Sequence, residues 1–256
     1  MADSLRALIS NLIDYAGLYP PAGLPLEEVL ARYRRYRSSP ERWMLNRLVL
    51  PTSKLAEAKL EDGWRVTLLV EHETGPLPRQ VESLESKKAL PYGHGSDMAV
   101  YDEAPIEQIT SGFAKIRTGG LTPEAIPSSQ EVAGFLYAAA ARRLPFKATA
   151  GLHHPVRAEY PLTYAPDAPR AVMHGFLNVF VAAAFAWMHT PLPALLDILE
   201  EADARAFEFR DGELQWRGHG ISTGQIEDAR ANFAHSFGSC SFEEPVEGLR
   251  ELGLLP

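Results

Sequence analysis

The sequences FAKIRTGG, Phe113 to Gly120, and PFKATAG, Pro145 to Gly151, bound the stretch of the chain that decides its fold. Each is a short β-leaning run that breaks at glycine. Between them, PSSQEVAGFLYAAAARR opens with a capping box made by Ser128 and Glu131 and continues as an alanine-rich helix. This order of strand, helix and strand predicts two adjacent parallel strands joined by the 128–143 helix.

The same alternation of strand-like and helix-like segments runs through all 256 residues. The eight strand candidates are LIDYAGLY, NRLVLP, WRVTLLVEHE, DMAVYDEAP, FAKIRT, PFKATAG, ARAFEFRD and HSFGSCSF. Residues 74–96 are the least regular part, and their middle has helical character. No linker divides the chain, so we predict one α/β domain over residues 1–256, folded as a single (β/α)8 TIM-like barrel. A doubly wound open sheet is the main rival, but no G-x-G-x-x-G follows the early strands.

Composition narrows the kinds of partner and compartment. The formal net charge is −8, which disfavours a nucleic-acid surface because phosphate backbones require a basic face. Cys240 is the single cysteine, so no intrachain disulfide forms, and this suits a reducing compartment. The N-terminal segment lacks the pattern of a signal peptide. These features together predict a cytoplasmic protein.

The most apolar run, Val172 to Met188, is interrupted by His174 and Asn178, and its uninterrupted part is too short to span a bilayer. We therefore expect a buried helix and no membrane contact. Because the 174–188 helix is apolar around nearly its whole circumference, something must cover its outer face. We expect either the 191–202 helix or a second subunit there, the latter making a homo-oligomer.

Charged side chains follow the strand period in three of the candidate strands. Successive side chains on a strand point to opposite sides, so the apolar side suits packing under helices and the other side faces the barrel interior. The active sites of such barrels lie at the carboxyl ends of the strands. We expect six side chains to converge there: Lys115, Arg117, Lys147, Thr149, Glu208 and Arg210. A buried ion-pair network that only fills the barrel is the alternative.

Other strand ends supply further candidates. VYDEAP offers Asp102 or Glu103, and LLVEHE offers Glu71 or Glu73. The remaining substrate-binding candidates follow strands in turns rich in small residues or histidine: Thr118, His153, His154 and Ser239. Adjacent residues on an extended segment point apart, so the two histidines are not expected to bind one metal ion together. We expect no cofactor and no tightly held metal, because no closed ligand set is present.

As a set, five stretches resemble a family of uncharacterised bacterial proteins along almost the whole chain. They are DYAGLYPPA, KIRTGG, PFKATAGLHHP, HGFLNVF and the C-terminal FGSCSFEEPV…LGLL. This resemblance implies no activity. KIRTGG and KATAG also resemble, more locally, class I aldolases of the deoxyribose-phosphate aldolase type, which carry lysines on two neighbouring late barrel strands. By that resemblance Lys115 is the Schiff-base lysine and Lys147 is the neighbour that lowers its pKa. The sequence count places these strands fifth and sixth, one earlier than in those enzymes.

The sequence thus predicts a lyase or aldolase that acts on a small, anionic carbonyl metabolite through a strand-end lysine. Like charge among Lys115, Arg117 and Lys147 is expected to depress the pKa of one lysine, with Glu208 opposing this. Three alternatives remain. They are an isomerase or epimerase that moves protons with Glu208 and a histidine, a metal-assisted enzyme that uses a histidine with Glu71, Asp102 or Glu208, and a non-catalytic metabolite-binding barrel.

Overall fold

The computed structural model describes residues 1–72, 75–87 and 98–256. The strands are β1 (Ile13–Tyr15), β2 (Leu45–Pro51), β3 (Val66–Leu69), β4 (Val81–Ser86), β5 (Ala99–Asp102), β6 (Phe113–Arg117), β7 (Phe146–Thr149), β8 (Ala158–Pro161), β9 (Arg170–Met173), β10 (Phe207–Phe209), β11 (Glu213–Trp216), β12 (His219–Ser222) and β13 (Ala234–Ser239). The α-helices are α1 (Asp3–Ile9), α2 (Leu26–Arg37), α3 (Ser129–Ala141), α4 (Phe176–Trp187), α5 (Leu192–Glu200), α6 (Thr223–Asn232) and α7 (Glu243–Glu251).

Eight parallel strands close into a barrel in the order β1-β2-β3-β4-β5-β6-β7-β13, and β13 pairs with β1 to complete the ring. Each strand lies beside its predecessor in the barrel, as repeated strand-to-strand connections on one side of a sheet require. The fold is therefore the predicted (β/α)8 TIM-like barrel. All carboxyl ends of the strands meet at one end of the barrel, which is where side chains from distant parts of the chain come together.

The predicted membership of the barrel is wrong at two segments. The segment Val81–Ser86 is the middle of residues 74–96, where helical character is predicted, and it is instead the fourth barrel strand. The segment Phe207–Phe209 is a strand, but it belongs to an antiparallel three-stranded sheet with β11 and β12 outside the barrel. As a result, the two lysine-bearing strands are the sixth and seventh of the barrel, one later than the sequence count.

The β6–α3–β7 unit has the predicted arrangement. The Ser128 hydroxyl accepts a hydrogen bond from the Glu131 backbone N–H, and the Glu131 carboxylate accepts one from the Ser128 N–H, so both partners of the capping box are satisfied. Strands β6 and β7 pair in parallel, with Lys115 opposite Lys147. Because opposed residues on neighbouring strands point to the same face, both lysines enter the barrel interior.

Helix α4 is buried along its whole length, and the chain itself covers it. All twelve residues from Phe176 to Trp187 are buried. Helices α3, α5 and α6 pack around it, and Phe176 and Phe180 stack against Phe237 and Phe146 on the barrel wall. Asn178 is also satisfied internally, since its side chain bonds three backbone groups of Arg157, Ile198 and Glu201. The predicted intramolecular cover by the 191–202 segment is confirmed, so the apolar helix does not require a second subunit.

Two small sheets lie outside the barrel. The β8–β9 hairpin follows β7 and contributes Met173 to the rim at the carboxyl end, while the β10–β11–β12 sheet packs beside α1. Within the described part of the chain, no helix combines the length and the apolar character needed to cross a bilayer.

Candidate functional site

A cavity of about 370 Å³ opens at the carboxyl ends of the barrel strands. Residues from most of the barrel strands line it, because the strand ends form a ring around its floor. Glu85, Lys115 and Thr149 contribute polar atoms from β4, β6 and β7. Apolar and small side chains form much of the remaining wall. A pocket of this size and composition is suited to a small metabolite.

Below the cavity floor, Lys147 is enclosed by carboxylates. Its Nζ lies 2.6 Å from Asp14 Oδ2 and also bonds Glu85 Oε1. Asp14 accepts two further hydrogen bonds, from the Ser236 hydroxyl at 2.7 Å and from the Arg47 backbone N–H at 3.0 Å. The Lys147 and Asp14 side chains are each 1% exposed, so these charges have left water entirely. Such charges are tolerated only when they are paired and hydrogen-bonded, as they are here.

Lys115 lies at the cavity floor and shares Glu85 with Lys147. Its Nζ is 3.2 Å from Glu85 Oε2 and 3.1 Å from Glu103 Oε2. Glu103 also accepts a hydrogen bond from Arg117 Nε at 3.0 Å, and Arg117 reaches the rim, where its side chain is 45% exposed. The side chains therefore form one chain of alternating charge that runs from the buried interior to solvent. Its members in order are Asp14, Lys147, Glu85, Lys115, Glu103 and Arg117.

The environment fixes the charge state of the buried members. Burial alone would lower the pKa of Lys147, but the carboxylates of Asp14 and Glu85 overcome this and raise it. Burial likewise would raise the pKa of Asp14 and of Glu85, yet Lys147 and a second cation hold both below the usual range. Lys147 is therefore a permanent ammonium. The expected depressed pKa does not occur at Lys147, because the carboxylates outweigh the repulsion between cations.

The two adjacent histidines point apart, as expected. His153 lines the cavity, and its Nδ1 lies 2.7 Å from Glu244 Oε2. Burial would raise the pKa of Glu244, but His153 and Tyr164 hold it low. His154 turns away and stacks on Tyr160 with ring centroids 3.6 Å apart. Burial and, secondarily, His153 lower the pKa of His154 to about 4, so His154 is neutral at pH 7.

The remaining predicted residues near the site divide into those that face the cavity and those that stabilise its walls. Thr149 lines the cavity, and the backbone of Gly238 lies close to it. Thr118 instead donates its hydroxyl to the Ala150 carbonyl at 2.6 Å, which links the turns after β6 and β7. Ser239 is buried at the end of β13 and accepts a hydrogen bond from the Ser241 N–H. The hydroxyl groups of Thr118 and Ser239 thus bond nearby backbone groups and stabilise the cavity wall.

Of the paired acidic alternatives, Glu103 rather than Asp102 bonds Lys115. Asp102 is buried at the end of β5 and is not among the residues that line the cavity. Glu71 is exposed and accepts a hydrogen bond from the Ser53 N–H. Glu73 lies outside the described residues.

The predicted position of Glu208 and Arg210, at the carboxyl end of a barrel strand, is wrong. Arg210 forms an ion pair with Glu208, and both side chains are about half exposed on the β10 segment outside the barrel. The Arg210 backbone bonds Ser4 at the start of α1. Alternation of apolar and charged residues is common to any half-buried strand, so it cannot tell a barrel strand from a strand on the outer surface.

Sequence reasoning missed the two most central carboxylates, Asp14 and Glu85. Asp14 lies in the three-residue strand β1, within the predicted strand LIDYAGLY, and the polar side chains of that segment are not among the site candidates. Glu85 lies on β4, where Ser83 and Glu85 face the interior; the Ser83 hydroxyl bonds Thr67 there at 2.8 Å. A strand with a polar inward face lacks the apolar alternation that reveals strands, and the two apolar residues of VESLES, Val81 and Leu84, are three positions apart, a spacing typical of a helix.

Chemically, the site combines a cavity-facing primary amine, carboxylates within hydrogen-bonding distance of it, and a histidine–carboxylate pair across the pocket. Within residues 1–72, 75–87 and 98–256, no group of three or more His, Cys, Asp or Glu side chains is arranged to hold a metal ion. Comparison with known proteins adds no assignment, since no protein-family model, curated protein or solved structure matches the chain.

Proposed function

We propose that the protein is a lyase or aldolase that binds a small, anionic carbonyl metabolite in the barrel cavity and activates it as an imine on Lys115. The position of Lys115 carries this proposal. Its side chain is 3% exposed, yet it lines the cavity, and two carboxylates lie within 3.2 Å of its Nζ. Imine formation requires the neutral amine, and a carboxylate at this distance can accept the ammonium proton as the carbonyl group approaches.

Lys147 supports the reaction without forming the imine. It lies beneath the cavity, 1% exposed, and its pKa is raised by Asp14 and Glu85. A fixed ammonium that is bonded to Glu85 offsets part of the negative charge that Glu85 directs toward Lys115. The sixth and seventh barrel strands are also where the aldolases of the local resemblance carry their two lysines.

An anionic substrate is favoured by the charges at the cavity rim. Lys87 and Arg117 line the pocket on the side of β4 and β6, and both are exposed to solvent. Arg117 keeps its guanidinium at the rim through the bond to Glu103. A carboxylate or phosphate that binds there would place the rest of a small molecule over Lys115.

Reductive trapping tests the proposal. The protein is incubated with pyruvate and with glyceraldehyde 3-phosphate, reduced with borohydride and digested for mass spectrometry. With only six lysines in the chain, the modified peptide is identified directly. We expect one adduct, on Lys115, that disappears in Lys115→Arg, because arginine keeps the charge and forms no imine. The matched control Lys59→Arg changes an exposed lysine and should leave the adduct intact. Labelling spread over surface lysines, or none, would contradict the proposal.

One observation favours a second candidate function, acid–base isomerisation without an imine. His153 lines the cavity while bonded to Glu244, and a histidine held by a carboxylate can move a proton. This candidate predicts no trapped adduct. It predicts instead exchange of a substrate proton with deuterium from solvent, which is lost in His153→Gln and retained in Lys115→Arg.

A further inference from the structure

The DYAGLYPPA stretch brings an unused hydroxyl group to the cavity. Tyr19 lines the cavity together with Ala16, Pro20 and Pro21 from the same loop. The Tyr19 hydroxyl is buried, and it has no hydrogen-bond partner among the residues that the structure describes. Buried hydroxyl groups in proteins are bonded in the large majority of cases, so an unpaired one at a ligand cavity calls for a partner that comes from outside the protein.

The loop around Tyr19 fixes the position of this hydroxyl. The Tyr19 backbone N–H donates to the Ala16 carbonyl at 2.9 Å, and the Tyr19 carbonyl accepts from the Gly23 N–H at 3.0 Å. A further bond runs from the Leu24 N–H to the Gly17 carbonyl at 2.9 Å. With both backbone groups bonded in a tight turn, the phenol ring is presented to the cavity by a rigid support, which is what a binding or catalytic side chain requires.

The surroundings keep the phenol protonated. Burial raises the pKa of Tyr19, and the negative charges of Glu85 and Glu71 raise it further. At neutral pH the group is therefore a hydrogen-bond donor. Its natural partner is an oxygen atom with a free lone pair, such as that of a carbonyl, carboxylate or hydroxyl group.

We propose that the Tyr19 hydroxyl donates a hydrogen bond to an oxygen atom of the bound metabolite, and that this oxygen is the one of the carbonyl group attacked by Lys115. The second half of this statement rests on the proposed function. The ligand is thereby specified as an oxygenated small molecule that is held between the Lys115 amine and the Tyr19 phenol, two groups that line the same cavity.

The proton balance of the step assigns Tyr19 a catalytic role. Glu85 takes one proton from the Lys115 ammonium. As the C–N bond forms, the carbonyl π electrons move to oxygen, which takes the Tyr19 proton, and the phenolate recovers a proton from the nitrogen. The resulting hydroxyl group leaves as water with the proton held by Glu85, and the iminium remains. Lysine ammonium and carbonyl thus give iminium and water, with Tyr19 and Glu85 restored.

The variant Tyr19→Phe tests this, and Tyr15→Phe is its matched control. Tyr15 lies four residues earlier, and its hydroxyl is also buried without a partner in the described part of the chain, but it does not line the cavity. Because neither hydroxyl bonds a described residue, both variants should unfold at or above the wild-type urea concentration. A clear loss of stability in Tyr19→Phe alone would mean that its hydroxyl bonds a protein group, which would overturn the proposal.

The rate of pyruvate adduct formation on Lys115, followed by borohydride quenching over time, is the second measurement. We expect Tyr19→Phe to slow it by about 10²–10⁴-fold, the usual contribution of a general acid, and Tyr15→Phe to leave it unchanged. Adduct formation at the wild-type rate in Tyr19→Phe would overturn the catalytic role.

A third measurement separates this proposal from the proposed function. Tyrosine labelled with 13C at the ring carbon that bears oxygen is observed by NMR, with the Tyr19 and Tyr15 signals assigned from the two variants. Millimolar pyruvate or glycerate should shift the Tyr19 signal and not that of Tyr15. If the wild-type protein forms no adduct but the Tyr19 signal shifts, the imine function fails and the ligand contact of Tyr19 stands. If neither compound shifts it, the ligand contact is refuted.

Discussion

At the scale of single residues, Glu85 is the side chain that makes two inward lysines compatible with one barrel. Its two oxygens bond different lysines, Lys115 on one side and Lys147 on the other. Asp14 and Glu103 extend the network at each end, so that each of the two lysines has two carboxylate neighbours. Removing Lys147 leaves Asp14 buried without its ammonium partner and Glu85 with Lys115 alone, and such a loss costs far more than the pair contributes.

We therefore expect Lys147→Met to destabilise the protein by about 3–5 kcal/mol, the usual cost of breaking a buried ion pair from one side. The side chain of methionine fills much of the same volume, so the loss reports on charge. Urea unfolding followed by circular dichroism measures it. The control Lys59→Met removes an exposed lysine and should change the free energy of unfolding little. Equal stability of the two variants would show that Asp14 and Glu85 do not depend on Lys147.

At the scale of elements, the turns after β6 and β7 touch through two glycines, and this contact sets how closely the lysine strands approach at the cavity. A Cβ atom on Gly119 would lie 2.7 Å from the Gly151 Cα, and one on Gly151 would lie 2.8 Å from the Gly119 Cα. Gly151 also has φ +80°, a conformation that side chains rarely adopt. The atoms in contact belong to the backbone of both turns, so no side-chain rotation can relieve a clash there.

Gly119→Ala should accordingly force these turns apart and cost about 1–3 kcal/mol, the typical cost of overpacking. We also expect it to reduce trapping on Lys115, since the lysine strand carries the displaced turn. Gly134→Ala is the matched control: Gly134 lies within α3, and a Cβ atom there meets no atom of the described residues within 4 Å. That variant should be stabilised by about 0.5–1 kcal/mol, because alanine favours a helix over glycine. Urea unfolding distinguishes the two outcomes, and equal effects would refute the contact argument.

At the scale of the whole molecule, the barrel holds partly buried histidines at both of its ends. His154 lies near the carboxyl end against Tyr160, while His235 lies at the start of β13 and bonds the Tyr101 hydroxyl at 2.8 Å. Burial lowers the pKa of both histidines to about 4, with a smaller contribution from His153 at His154 and from the Arg230 guanidinium at His235. The folded protein thus holds them neutral over a pH range in which the unfolded chain would protonate them.

Linkage gives the sign of the resulting pH dependence. Between the ordinary histidine pKa of about 6.5 and the folded value, the unfolded chain binds more protons, so stability falls as the pH falls. Below about pH 4 the loss continues, because Asp14 and Glu85 have lowered pKa values in the fold and must then be protonated. Urea unfolding at a series of pH values measures this. His154→Gln and His235→Gln should each reduce the loss of stability between about pH 6.5 and pH 4. The control His219→Gln, which changes an exposed histidine, should show the same loss as the wild type. If stability fell with pH in the His154 and His235 variants as steeply as in the wild type, these two histidines would not be the source of the pH dependence.

Local sequence features determined much of this protein. The capping box at Ser128 and the alternation in FAKIRT and FKATA depend on residues that are close together in the chain, so the β6–α3–β7 unit, the inward direction of Lys115 and Lys147, and the barrel itself follow from them. The burial of the apolar 174–188 segment follows in the same way, although the helix begins at Phe176 and leaves His174 before it.

Only the tertiary structure decided which strands join the barrel and what charge the site holds. The sequence of Val81–Ser86 does not alternate, yet this segment joins the barrel; that of Phe207–Phe209 alternates, yet it lies outside. Only their pairing partners distinguish the inner strand from the outer one. Lys147 bonds Asp14, 133 residues away, and Glu85, 62 residues away. Electrostatic energy depends on distance in space and on burial, and neither is encoded by spacing along the chain. The sequence therefore predicted that lysines face the interior, whereas the folded barrel decided that Lys147 stays charged and that Lys115 meets the cavity.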